Sequence, residues 1–260
     1  MRYSVLTFNI DGYELLHEIP EEAINPEIEY IYVTNDHSIT SNTWTVVYAD
    51  DLTGSTFDKV FQIRYNPFKY AHTDTVMKID GSMGIVNDVM PIFEAFDKGQ
   101  YEAAVMIHPT RAKMFDEYKA WVDQRGYPVD QANRCIRMLL DNGYDMQYEG
   151  LYQYNFMIQR NDEMNNTWNR VTYDTLQKIA PEGETVDRLD QTIGSFILNK
   201  FFSNQRIMPV GQYVCGGVFF NWYVHGTDNR MLCDDRNNIE PFLFNRSVSF
   251  PYLWPKSTEE

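Results

Sequence analysis

The sequence has few cysteines, a shortage of cations and no long apolar run, and each shortage excludes a class of protein. Its 260 residues include three cysteines, Cys135, Cys215 and Cys233, whose spacing matches neither a zinc site nor a disulfide framework. Reduced thiols and a cytoplasmic location are therefore expected. Lysine and arginine total 22 against 37 aspartates and glutamates, a formal net charge of −15. That balance excludes a general attraction to nucleic acid or anionic lipid, so a phosphorylated ligand would need a local cluster of cations.

No segment predicts a leader or a membrane span. Residues 1–16 lack the basic start, the apolar core and the small-residue cleavage site of a signal peptide. The most apolar stretch, Tyr213 to Val224, is interrupted by glycines and an asparagine and is too short to cross a bilayer. We therefore expect no transmembrane segment. The sequence also lacks the Walker phosphate loop, the dinucleotide-binding G-x-G-x-x-G, the G-x-S-x-G elbow and the zinc-binding H-E-x-x-H.

What the chain does contain is an alternation of strand-like and helix-like segments. The predicted strands lie at residues 2–10, 29–34, 44–49, 75–79, 103–107, 151–158 and 213–224. The predicted helices lie within 55–70 and at 89–96, 111–124, 130–140, 168–179 and 189–202. Such alternation predicts an α/β, Rossmann-like fold with a mixed, mostly parallel sheet flanked by helices. We expect one domain over residues 1–233 and a C-terminal tail over residues 234–260.

Polar residues follow three of the first four predicted strands. They are Asn35-Asp36, Asp50-Asp51 and Asp80-Gly81-Ser82. Each group alone is typical of a turn or a helix N-cap. Because ligands of an open α/β sheet bind beyond the carboxyl ends of its strands, their shared placement predicts a site at that edge.

The residues around the fourth predicted strand form the clearest candidate site. Two cations precede the strand, Arg64 and Lys69, and they could pair with a diphosphate or form a charged helix face. The strand then delivers Asp80, which can bind Mg²⁺ or Mn²⁺, while Gly81 permits close backbone approach and Ser82 can add an oxygen ligand. A cation held there would neutralise a diphosphate leaving group.

Three short motifs follow one another along the chain: Ile79-Asp80-Gly81, His108-Pro109-Thr110-Arg111 and Asp190-Gln191. Their order resembles a family of GT-A-fold glycosyltransferases linked to capsular or surface polysaccharide synthesis, over residues 2–225. The D-x-D motif of that fold is incomplete here, because Ser82 stands at its second acid. The resemblance implies a GT-A-like fold, a nucleoside-diphosphate sugar donor, Mn²⁺ or Mg²⁺, and a carbohydrate or glycoconjugate acceptor.

The resemblance also implies which residues hold the nucleotide. Asn9 and Asp36 would contact the base or ribose of the donor. Gly81, together with the cations Arg64 and Lys69, would lie beside its diphosphate.

Further roles concern the metal and the acceptor. The resemblance implies His225 as a metal ligand beside Asp80 and Ser82, because related enzymes use a late histidine, although a histidine at a strand end with no metal explains it as well. His108 and Arg111 would line the acceptor or diphosphate pocket, although a turn and a solvated helix residue explain them as well.

Asp190 opens a predicted helix whose apolar residues follow helical spacing. An acid in that position favours the helix dipole without any catalytic duty, or it faces the sugar. In an inverting transferase it would deprotonate the acceptor hydroxyl, and in a retaining one it would hold the donor or stabilise the transition state. Gln191 would bond sugar hydroxyls, and Glu149 competes with Asp190 for the role of base.

The sequence therefore predicts a metal-dependent glycosyltransferase. The alternative is a non-catalytic carbohydrate-binding or interaction module on the same fold, which the missing second acid and the aromatic content of 15% both permit. A nucleotidyltransferase is disfavoured, because Asn9-Ile10-Asp11-Gly12 is too poor in glycine for a phosphate loop.

Overall fold

A computed structural model describes most of the chain. The described residues are 2–108, 111, 113–124, 128–143, 150–179, 189–202, 206–211 and 218–229. Predicted features that lie outside them are Pro109, Thr110, Glu149, Cys215, Cys233, residues 213–217 of the last predicted strand, and the tail 234–260. The division into one domain and a tail therefore stays a prediction.

Within these ranges the chain alternates strands and helices, as the sequence predicts. The strands are β1 (Tyr3–Asn9), β2 (Ile28–Thr34), β3 (Thr45–Tyr48), β4 (Thr75–Ile79), β5 (Met83–Ile85), β6 (Ala103–Ile107), β7 (Tyr152–Arg160), β8 (Ile207–Val210) and β9 (Phe220–Trp222). The α-helices are α1 (Thr56–Arg64), α2 (Met90–Lys98), α3 (Met114–Lys119), α4 (Val129–Asp141), α5 (Glu163–Ile179) and α6 (Leu189–Phe201). Short 3₁₀ turns lie at Glu21–Ala23 and Pro67–Lys69, and a π-helical turn lies at Ala120–Gln124.

Seven of the strands form one sheet in the order β3-β2-β1-β4-β7-β6-β8. Neighbouring strands are parallel except at β7, which is antiparallel to both β4 and β6. The strands β5 and β9 pair in a separate two-stranded sheet. These features confirm the predicted α/β fold with a mixed, mostly parallel sheet flanked by helices.

Helices cover both faces of the sheet. In β1, Val5 belongs to a core that includes Phe93 of α2, whereas Leu6 belongs to a core that includes Ile63 of α1. Successive strand residues point to opposite faces, so these two cores lie on opposite sides of the sheet. Because both sides are covered, β1 and β4 are buried along their whole length, and their polar residues, such as Ser4, Asn9 and Lys78, are buried with them.

Two strands and one change of helix type were not predicted. The strand β5 is too short to show a periodicity, and β8 contains Pro209, which is typical of an edge strand because proline donates no backbone hydrogen bond. The helix predicted at residues 111–124 begins at Met114 and turns π-helical at Ala120–Gln124. Among the described residues, no helix is long and apolar enough to cross a membrane.

Candidate functional site

A pocket of about 390 Å³ lies beyond the carboxyl ends of β1 and β4. This is the edge at which an open α/β sheet binds its ligands. The sequence-predicted site residues that line it are Asn9, Arg64, Asp80, Gly81, Ser82, His108, Arg111, Asp190, Gln191 and His225. The fold therefore brings most of the predicted site into one cavity.

The helix α1 provides one wall of this pocket. It begins after Ser55, whose hydroxyl forms a capping box with Asp58. Its residues Thr56, Val60 and Arg64 follow one another at four-residue intervals and therefore share a face, and all three line the pocket. Arg64 is the last residue of the helix, and its side chain reaches Asp80, which follows β4.

The Arg64 guanidinium joins two carboxylates that are far apart in sequence. One terminal nitrogen, Nη2, donates to Oδ1 of Asp80 at 2.7 Å, and the other, Nη1, donates to Oδ2 of Asp190. The Arg64 and Asp190 side chains are nearly buried, whereas 24% of the Asp80 side chain is exposed to solvent. We call these three residues the Arg64 bridge.

Burial and charge act in opposite directions on the Arg64 bridge. Burial raises the pKa of Asp190 above its ordinary value, although the Arg64 charge works against that change. Burial lowers the pKa of Arg64, but the charges of Asp80 and Asp190 raise it by more, so the guanidinium stays protonated. The pocket wall therefore holds one permanent cation between two acids.

Lys78 of β4 supports the same end of α1. Its Nζ donates to the carbonyl oxygen of Arg64 at 2.6 Å and lies 5.9 and 5.8 Å from the ring centres of Tyr65 and Trp168. Burial, with the Arg64 charge as a smaller cause, lowers the pKa of Lys78 well below its ordinary value. The contact fixes the backbone from which the Arg64 side chain extends.

The substitution Lys78→Met should change how the stability of the protein depends on pH. The Lys78 pKa lies below 10.5 in the folded protein and near 10.5 in the unfolded chain, so folding of the wild type releases a proton between the two values. The stability of the wild type relative to Lys78→Met should rise with pH across that window and stay constant below it. Urea unfolding of both proteins at several pH values measures the difference, and a difference independent of pH would contradict the lowered pKa.

Gly81 allows β1 and the end of β4 to approach closely. A Cβ atom at position 81 would lie 2.6 Å from the carbonyl oxygen of Phe8 and 2.9 Å from Cγ of Glu14. The first of these is a backbone atom and cannot move aside without shifting β1. The glycine predicted to lie beside a diphosphate is therefore required by the packing of the pocket floor.

The substitution Gly81→Ala should lower the free energy of unfolding by about 1–3 kcal/mol, because overpacking of this kind forces the backbone to move. Ser82→Ala is the matched control. The Ser82 hydroxyl is buried and has no hydrogen-bond partner in the described structure, so its loss should cost little. Chemical denaturation of both variants measures the difference. Equal stability of Gly81→Ala and wild type would show that the β1 backbone shifts at little energetic cost.

The loop after β1 is held by Asn9. Its Oδ1 accepts from the Glu14 backbone N–H at 2.9 Å and its Nδ2 donates to the Glu14 carbonyl, so the amide predicted to contact a nucleotide is used to shape this loop. The Glu14 carboxylate in turn bonds Nδ1 of His225 and accepts from the Gly226 N–H at 3.1 Å. Glu14 was not predicted, because its partner lies more than 200 residues away along the chain.

A second ion pair joins Arg111, which lines the pocket, to Glu117. The Arg111 backbone N–H donates to Nδ1 of His108 at 3.0 Å, and the Arg111 guanidinium pairs with the fully buried carboxylate of Glu117. The same carboxylate lies 3.8 Å from Nε2 of His108. Glu117 was missed because nothing in the sequence distinguishes it from the other acids of a surface helix.

The structure does not bring all the predicted residues to the pocket. Lys69 pairs with the exposed carboxylate of Asp51, and Asp36 bonds the backbone N–H and hydroxyl of Ser38 in a surface turn. Neither Lys69 nor Asp36 is among the residues that line the pocket. Glu149 lies outside the described residues.

The predicted metal ligands are engaged with other groups. Asp80 and Asp190 both bond Arg64, the His225 ring bonds a carboxylate, and Ser82 is buried. In the part of the chain that the structure describes, no three His, Cys, Asp or Glu side chains form a group that could hold a metal ion. Mg²⁺ and Mn²⁺ are held through carboxylate oxygens, and the carboxylates of Asp80 and Asp190 are already paired with the Arg64 cation, so this arrangement does not fit either ion.

The comparisons with known proteins assign the chain to no family. No protein-family model matches the chain. No curated protein matches it in sequence. Among the solved structures that match is the crystal structure of mouse xyloside xylosyltransferase 1 in its apo form, at 7% identity and a TM-score of 0.44, covering 82% of this chain and 86% of that chain. A likeness at this level says nothing about the donor, the acceptor or the catalytic residues of this chain.

Proposed function

We propose that the protein is a glycosyltransferase of GT-A-like fold, which moves a sugar from a nucleoside-diphosphate donor to a carbohydrate or glycoconjugate acceptor. The observation that carries the proposal is the Arg64 bridge in the wall of a pocket at the carboxyl edge of a mostly parallel sheet. A volume of about 390 Å³ is in the range of small-molecule sites. Carboxylates and a cation placed together suit a ligand that carries both hydroxyl groups and phosphate.

Asp190 is the group proposed to handle the proton. The acceptor oxygen attacks the anomeric carbon of the donor while the bond from that carbon to the diphosphate breaks. The hydroxyl proton passes to the Asp190 carboxylate, and the electron pair of the broken bond leaves with the diphosphate. Burial makes this carboxylate a stronger base than an exposed aspartate, and Arg64 fixes its orientation. In a retaining reaction the same carboxylate would stabilise the positive charge that develops on the sugar.

The other pocket residues are proposed to hold the substrates. Asp80 is the more exposed acid of the Arg64 bridge, and its carboxylate suits a hydrogen bond from a sugar hydroxyl. Gln191 lies next to Asp190 and would contact the same sugar. Arg111 is held in place by Glu117, so it presents a preorganised cation to a phosphate or an acceptor.

The rate of transfer should depend on pH through Asp190. A general base must be ionised, and the pKa of Asp190 is raised above 3.8 by burial. As the pH falls, kcat/KM should therefore decline at a higher pH than an ordinary aspartate would cause. A pH–rate profile measures this acid limb. Activity that stays level down to the ordinary pKa of aspartate would assign the base to another group.

Binding of the donor is tested by a panel of nucleoside diphosphates and nucleotide sugars. A ligand present at 100 times its Kd stabilises the folded state by about 2.7 kcal/mol, so a true donor should raise the melting temperature visibly. The rise caused by a nucleotide sugar should be smaller in Asp80→Asn and unchanged in Asp36→Asn, because only Asp80 lines the pocket.

The same panel separates the enzyme from the alternative predicted from the sequence. A carbohydrate-binding or interaction module would be stabilised by free sugars and by no nucleotide. The proposed transferase should instead respond to the nucleotide and release a nucleoside diphosphate on incubation with its donor.

A further inference from the structure

The position between the Asp80 and Asp190 carboxylates is already taken by a cation of the protein itself. Each of the two terminal nitrogens of one guanidinium bonds one of the carboxylates, so the positive charge lies between them. Mg²⁺ and Mn²⁺ are also held through one or two carboxylates, so a divalent ion would compete with the guanidinium for these oxygens. The guanidinium carbon also lies 5.9 Å and 5.8 Å from the ring centres of Phe8 and Phe61, so two aromatic rings contribute to the surroundings of the cation.

We infer that Arg64 is the resident cation of this pocket and that it excludes a divalent metal from Asp80 and Asp190. Only the identity of the ligand, the diphosphate of a donor, rests on the proposed function. That diphosphate would bind without Mn²⁺ or Mg²⁺. It departs from the metal dependence predicted from the sequence.

Three observations make displacement of Arg64 by a metal unfavourable. The side chain is nearly buried, and a guanidinium expelled from the bridge would lose two charge-assisted hydrogen bonds. The backbone carbonyl of Arg64 is held by Lys78, which limits how far the helix end can move. Ser82 stands where the D-x-D motif has its second acid. It is uncharged and buried, so it adds no negative charge to hold a metal that displaced Arg64.

Removal of Arg64 should open a metal site. In Arg64→Met the carboxylates of Asp80 and Asp190 would face each other without a cation, and a divalent ion is the natural counter-charge for such a pair. The control is Lys69→Met, which removes the same charge from an exposed ion pair outside the pocket.

The experiment titrates Mn²⁺ alone into the wild type, Arg64→Met, Lys69→Met and the double variant Arg64→Met/Asp80→Asn, and follows free Mn²⁺ by electron paramagnetic resonance. Arg64→Met is expected to take up about one Mn²⁺ per chain and to gain melting temperature from it. The wild type, the control and the double variant are expected to leave Mn²⁺ free. A folded Arg64→Met that also leaves all Mn²⁺ free would contradict the claim that Arg64 is what excludes the metal.

If Arg64→Met does not fold, Mn²⁺ binding by the wild type still tests the role of Arg64. Uptake of Mn²⁺ by the wild type that disappears in Asp80→Asn would overturn it. With the nucleotide panel, stabilisation should be equal in Mn²⁺ and in EDTA, and stabilisation only in Mn²⁺ would also overturn it. If no nucleotide stabilises the protein in either buffer, the proposed function fails, whereas the Mn²⁺ titration still decides the role of Arg64.

Discussion

Asp190→Asn is expected to lower the rate of glycosyl transfer by about 10²–10⁴-fold, which is the range that one positioned acid–base group contributes. The amide keeps the shape of the carboxylate and can still accept a hydrogen bond from Arg64, but it cannot take the acceptor proton. Initial rates with the donor found in the nucleotide panel measure the effect. Melting temperatures measured alongside check that the variant is folded.

The matched control for Asp190→Asn is Asp36→Asn. Both are aspartates that the sequence placed in the site, but Asp36 lies in a surface turn outside the pocket. Its substitution should leave the rate unchanged. A rate for Asp190→Asn close to that of the wild type would move the role of base to another acid, of which Glu149 is the sequence-predicted candidate.

Arg64→Met is expected to lower the free energy of unfolding by about 3–5 kcal/mol, the usual cost of removing one partner from a buried ion pair. Two acids would then share the pocket wall without their cation, and Asp190 is almost wholly buried. Lys69→Met should change the unfolding free energy little, because exposed ion pairs contribute little to stability.

Urea denaturation at neutral pH measures both substitutions. Arg64→Met should lose much of its free energy of unfolding, and the further substitution Asp190→Asn should restore part of it. That result would show that the unpaired buried acid causes the loss of stability. Equal effects of Arg64→Met and Lys69→Met would contradict the difference in burial on which the account of the Arg64 bridge depends.

The fold and the location of the pocket follow from local patterns. Strand β4 is a short apolar run that ends at Asp80, and the rule that ligands bind beyond such strand ends was enough to place the site. Asp190 was found because the Asp190-Gln191 pair matches a motif of the family that the sequence resembles, and the pair lies in the first turn of α6. Both residues lie in the same pocket because the end of β4 and the first turn of α6 meet there.

The partners within the site could not be read from the sequence. Arg64 and Lys69 look alike there, as two cations before one strand, but α1 ends at Arg64 and the 3₁₀ turn Pro67–Lys69 sends the second cation to the surface. The contact between Glu14 and His225 joins opposite ends of the described chain. Such pairings depend on tertiary packing and leave no periodic signal in the sequence.

We expect a nucleotide sugar to bind and react beside the Arg64 bridge. A crystal structure of the protein with the nucleoside diphosphate selected from the panel is the decisive measurement. The diphosphate should lie in the pocket beyond β1 and β4, with no metal between Asp80 and Asp190. A diphosphate bound elsewhere on the surface, with the Arg64 bridge unchanged and no ligand beside it, would show that this pocket is not the donor site.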